Sequence, residues 1–123
     1  MRWLLHGSLM PAVAEALRRH GQDPRSNSDA ALAADEVLET ARRQQLEIMT
    51  ADTVLANAPF ASNRPFNRLI VHLNVDPGEV EQDDAVDRLF KRYPRLTPGR
   101  LYTVTASRVK VRQLPTAVHV LKP

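Results

Sequence analysis

Three short runs, Trp3-Leu4-Leu5, Leu46 to Thr50 and Leu69-Ile70-Val71-His72-Leu73, read as buried strands separated and followed by amphipathic helical segments. Trp3-Leu4-Leu5 is continuously apolar, which suits a strand covered on both faces, as in a parallel sheet. Between and after the runs, apolar residues return at i, i+3, i+4 and i+7, the signature of a helix with one buried face. Met10, Val13, Ala14 and Leu17 form one such stripe; Ala34, Val37, Leu38 and Ala41 a second; Val86, Leu89, Phe90 and Tyr93 a third. Strands alternating with helices predict a three-layer α/β domain around a mostly parallel central sheet. The 123 residues suit one domain over 1–123. Right-handed crossovers would bring the ends of the first and third strands to one sheet edge.

Local signals sharpen the boundaries. Arg2 to His6 is the first strand, and Gly7-Ser8 turns into a helix that Ser8 can cap, with Pro11 in its first turn. Gly21 is the expected stop. Residues 22–29 are polar and carry Pro24, so any second strand there is expected to be short and peripheral. Ser28 or Asp29 is a candidate cap for a helix reaching about 44, with Ala34 as the alternative start. Thr53 to Ala56 reads as a short helical turn and 57–67 as a surface loop. A helix over about Val80 to Tyr93 follows Asp76-Pro77-Gly78, and 100–105 with 108–114 make a C-terminal hairpin turning near Ala106-Ser107.

Charge is divided unevenly. Residues 1–87 hold 8 Lys/Arg and 14 Asp/Glu, whereas 88–123 hold 9 Lys/Arg and no acid. A basic segment of this kind attracts phosphates. Arg108, Lys110 and Arg112 alternate with Val109 and Val111, so they share one strand face at intervals of about 7 Å. With Arg92, Arg95 and Arg100 they form a candidate track for single-stranded nucleic acid. The plain alternative is an edge strand guarded against unwanted pairing. Only Tyr93 and Tyr102 lie near enough in sequence for base stacking, so binding would be salt-sensitive and weakly selective. The absence of cysteine excludes disulfides and thiolate metal sites. No apolar run approaches membrane-spanning length, and the apolar start is too short for a signal peptide, which makes a cytoplasmic protein without a membrane partner the expectation.

Polar residues at strand ends and helix starts carry the candidate chemistry, because ligands of α/β sheets bind along that edge. His6 closes the first strand, Asp35 and Glu36 open a helix, and Asp52 follows Thr50-Ala51. Carboxylates gathered there would need a hard cation such as Mg²⁺ or Mn²⁺, which lowers the pKa of bound water and stabilises a transferring phosphate. Each residue also has a structural reading. Asp35 and Glu36 complement a helix dipole, Asp52 caps the following turn, and His6 is a hydrogen-bonded strand histidine.

The order Arg2-Trp3-Leu4-Leu5-His6, Pro11 to Gly21, Asp35-Glu36-Val37-Leu38-Glu39-Thr40-Ala41 and Ile48-Met49-Thr50-Ala51-Asp52 resembles small PIN-like domains. These are grouped with toxin-type ribonucleases of bacteria. Arg108 to Pro115 is similar to the end of such domains. The resemblance implies a Rossmann-like fold and an acidic pocket that binds Mg²⁺ or Mn²⁺ and cleaves single-stranded RNA. In this chain it assigns metal binding to Asp35, Glu36 and Asp52, and catalysis to Asp35 and Asp52 with His6 as an unusual ligand or proton-transfer group. Arg108, Lys110 and Arg112 would bind RNA, an antitoxin protein is an implied partner, and a homodimer is compatible. His6 and Val54 stand where the family usually has acids. The alternative is therefore a catalytically silent PIN-like module that binds RNA or a protein.

Overall fold

Side-chain alternation along each strand decides which layer a residue joins. In the computed structural model, which describes residues 1–28, 32–62 and 64–115, the elements are β1 (Arg2–His6), α1 (Pro11–Arg19), β2 (Asp23–Ser28), α2 (Ala34–Gln44), β3 (Glu47–Thr50), α3 (Thr53–Ser62), β4 (Ile70–Leu73), α4 (Glu79–Arg92), β5 (Arg100–Val104) and β6 (Val109–Gln113). They form one sheet in the order β2-β1-β3-β4-β5-β6. The first five strands are parallel and β6 returns antiparallel to β5. Trp3, Leu5, Met49, Val71, Tyr102 and Val104 face α1 and α4, where Val13, Leu17, Val86 and Leu89 are fully buried. Leu4, Ile48, Ile70 and Leu101 face the other way, against Val37 and Ala41 of α2 and Leu55 of α3. The predicted three-layer α/β domain with a C-terminal hairpin is the architecture observed.

Several expectations need correcting. The segment 57–67 is not all loop, because α3 continues from Thr53 to Ser62 with Pro59 inside it. Pro59 removes one backbone donor, but it is buried with Leu55 and Ala56, and Ser62 Oγ returns a hydrogen bond to the Ala58 carbonyl at 2.8 Å. Ser8 does not cap α1; Met10 holds that position without a side-chain cap. α2 takes the later start, with Ala33 at its N-cap, and Ser28 ends β2. Asp29, the other candidate cap, lies outside the described residues. β2 is peripheral as expected but not short: its six residues exceed those of any other strand, and parallel pairing with β1 holds them despite their polarity.

Crossover hand is also not uniform. β3–α3–β4 and β4–α4–β5 step in the same direction across the sheet, yet α3 and α4 lie on opposite faces. The two connections therefore have opposite hands, against the strong preference for one hand in parallel sheets. The contacts that hold α4 beside α1 are specific. His20 stacks on Phe90 with centroids 4.9 Å apart and its Nε2 meets Asp87 at 2.7 Å, while Arg19 pairs with Asp83. Hydrogen bonding to His20 holds the Asp87 carboxyl below its ordinary pKa.

Gln82 of α4 completes this packing from the inside. It is buried, its Oε1 accepts the Met10 N–H at 2.7 Å and its Nε2 donates to the Ser8 carbonyl at 3.0 Å. Gln82→Leu removes both partners from the turn leading into α1. The expected loss is about 2 kcal/mol, since an abandoned buried group costs roughly 1–3 kcal/mol and these two are only partly buried. A urea titration of both proteins measures it, and coincident midpoints would show that water replaces the glutamine.

Candidate functional site

β1 lies between β2 and β3, so the chain leaves it in one direction and returns in the other. That reversal is the usual ligand crevice of an open α/β sheet. At the C-terminal edge here, the register aligns His6 with Thr50, Thr50 with His72, His72 with Thr103 and Thr103 with Lys110. These residues share the sheet face of Leu4, Ile48, Ile70 and Leu101, one position further along each strand face. A polar row thus crosses five strands directly beside an aliphatic core.

Thr50 is the hub. Its Oγ1 accepts the Asp52 N–H at 2.9 Å and lies 2.9 Å from His6 Nδ1. Gly7 follows β1 with φ +82°, and a Cβ built there would sit 3.6 Å from both Thr50 Oγ1 and the Asp52 Cβ. Glycine thereby lets the β1 turn close against the end of β3 without backbone strain. His6 is 2% exposed and His72 6% exposed. Burial lowers both imidazole pKa values, and the negative charge of Asp52 opposes that shift at each ring. Nε2 of both histidines is buried without a hydrogen-bond partner.

The sequence-predicted acids divide. Asp52 reaches the edge, half-buried, where its Oδ1 accepts the Val54 N–H at 2.9 Å and caps the start of α3. The structural reading of Asp52 is thus satisfied. Asp35 and Glu36 lie exposed in the first turn of α2, and Asp35 faces Arg64 at 3.8 Å. Asp35 borders a groove of about 500 Å³ with Thr53, Val54 and Ala58, whereas His6 borders a different hollow of about 330 Å³ with Gly7, Pro11 and Arg18. Among the described residues, no three His, Asp or Glu side chains come together as a metal site. The Mg²⁺ or Mn²⁺ set of Asp35, Glu36 and Asp52 therefore does not fit this arrangement. Such ions need a gathered shell of oxygens, and here Asp35 and Glu36 are exposed while Asp52 commits one oxygen to the Val54 N–H.

The basic strand is as patterned. Arg108, Lys110 and Arg112 are exposed, with Arg108 in the turn just before β6. The Arg112 guanidinium lies 3.7 Å over the Phe60 ring of α3, which ties β6 to the helical layer. Tyr102 is not a stacking platform: it is buried, and its hydroxyl accepts the Thr97 N–H at 2.9 Å. His72 is the site residue that sequence reasoning missed. Its signal was a polar residue at the fourth position of an otherwise apolar run, the same signal that singled out His6.

Among the described residues, no helix is long and apolar enough to cross a membrane. No protein-family model matches the chain, and no curated protein or solved structure matches it.

Proposed function

We propose that this chain is a PIN-like module that binds single-stranded RNA along its C-terminal basic strand and lacks divalent-ion hydrolysis. The observation that carries the reading is the register: Lys110 stands opposite Thr103 and continues the row His6–Thr50–His72. A phosphate backbone lying on β6 is therefore led to the crevice where α/β proteins hold ligands. The cations on β6 supply the sequence-independent attraction. Among the described residues no three acidic or imidazole side chains gather as a shell for Mg²⁺, which is why binding rather than cleavage is the reading favoured here.

The test is fluorescence anisotropy of a labelled single-stranded oligoribonucleotide, read across a salt series in EDTA. Replacing Arg108, Lys110 and Arg112 together by Gln should weaken binding at every salt concentration. It should also flatten the log K against log salt slope by about 2, the share of three phosphate contacts on a single strand. An unchanged slope would remove β6 from the interface.

A second reading, the Mg²⁺- or Mn²⁺-dependent ribonuclease, draws on Asp52 standing next to Gly7 at the strand edge. It requires manganese-dependent cleavage that disappears in Asp52→Asn, and the same oligonucleotide reports on it by gel.

A further inference from the structure

An unpaired nucleobase binds best against a flat side chain, and the tyrosines near β6 in sequence do not supply one. Tyr102 is buried, and Tyr93 packs edge-on against it in the layer of α1 and α4. Arg112 stands opposite Leu101 in the β5–β6 ladder, and Leu101 belongs to the other layer, that of α2 and α3. Residues directly opposite in an antiparallel pair share a sheet face, so Arg112 lies on the α3 side. Lys110, two positions away, shares that side.

Phe60 of α3 meets Arg112 there. The guanidinium carbon stands 3.7 Å over the ring centroid, which is van der Waals contact. Arg92 over Tyr93 is looser, at 5.4 Å. A guanidinium is planar and has two faces, of which Phe60 covers one. Arg112 is exposed and makes no hydrogen bond or ion pair among the described residues, which leaves its second face to solvent. Arginine planes carry stacked bases much as aromatic rings do. Contact with Phe60 fixes this plane in advance, so less side-chain freedom is lost when a base arrives.

We infer that Arg112, backed by Phe60, is the stacking platform for one unpaired nucleobase, while Arg108 and Lys110 hold neighbouring phosphates. The ligand is then a single strand recognised through a base as well as its charge, not any polyanion. The platform rests on the RNA-binding reading of β6 and adds to it the group that discriminates.

Two labelled probes with equal numbers of phosphates separate these roles: an oligouridylate, and the same ribose–phosphate backbone without bases. By anisotropy, the wild type should bind the abasic strand about tenfold more weakly, the contribution of one stacked base. Arg112→Lys keeps the charge but loses the plane. It should bind oligouridylate about tenfold more weakly than the wild type, with an unaltered salt slope and no preference between the two strands. Phe60→Leu keeps an apolar contact without the ring and should narrow the wild-type preference to about threefold. Urea titrations check that both variants fold, and the wild-type comparison of the two strands needs no variant. Equal wild-type affinity for both strands, or an undiminished preference in Arg112→Lys, would overturn the platform while leaving the electrostatic RNA reading in place. Failure of the wild type to bind either strand would overturn both.

Discussion

Arg68→Met should destabilise the protein by about 3–5 kcal/mol at neutral pH, the usual result of stranding one member of a buried ion pair. Glu47 opens β3 in register with Trp3 and is only 4% exposed. Arg68 donates to its Oε2 and also to the Gln45 carbonyl at 3.0 Å. The other oxygen, Oε1, is already buried without a partner. Removing the guanidinium therefore leaves the buried carboxylate with only a backbone hydrogen bond from Leu69 and the N-terminal charge to favour its ionised form. Arg68 is one-third exposed, so water can reach the gap and the lower end of the range is expected.

The pH dependence separates this cause from simple loss of packing. Burial raises the Glu47 pKa above 4.5, and the charge and hydrogen bond of Arg68 oppose the rise. A carboxyl with a raised folded pKa contributes fully below its unfolded pKa and loses that contribution as pH rises through the folded value. Without Arg68 the folded pKa climbs further, so the deficit should be small near pH 4 and widen towards pH 8. Urea titrations at both pH values measure it, and adding Glu47→Gln to the variant should recover much of the loss. A deficit independent of pH would assign the effect to packing alone.

Acid should destabilise the protein through His6 and His72 as pH falls below 6.5. Burial holds both imidazoles below the ordinary 6.5, with Asp52 acting in the opposite sense. In the window between the depressed and ordinary values, the unfolded chain binds more protons than the folded one. Stability from the neutral rings is therefore complete above about pH 6.5 and is lost as pH falls through the folded values. Each ring can contribute a slope of at most about 1.4 kcal/mol per pH unit, or about 2.7 for the pair. Denaturant titrations from pH 8 to 5 in EDTA give the slope directly. His72→Gln should flatten it, and a level wild-type profile would mean that the rings are solvated or paired in solution.

The limits of sequence reading follow from what each element depends on. β1, β3 and β4 carry adjacent apolar residues covered on both faces, and α1, α2 and α4 have clear apolar stripes, so their burial is written in local order. α3 was cut short because Thr53 to Ser62 is nearly apolar all round and carries Pro59, which hides the helical period. β2 is a string of polar residues, Asp23-Pro24-Arg25-Ser26-Asn27-Ser28, that becomes a strand by lending its backbone to β1. The hand of the α4 crossover has no sequence signal either, since it rests on contacts with α1 that are remote in the chain.

The candidate site shows the same division. Sequence alone determined the alternation of strand and helix, the basic last strand and the polar residues at strand ends, because these depend on neighbours a few positions apart. Tertiary structure decided which of those residues meet. It joined His6 to Thr50 and His72 through strand register and buried them beside Asp52. It turned Asp35 and Glu36 out to solvent, because the face α2 buries is the one carrying Val37, Leu38 and Ala41. Register and helix rotation are set by the burial of whole faces, and that burial involves partners spread along the chain.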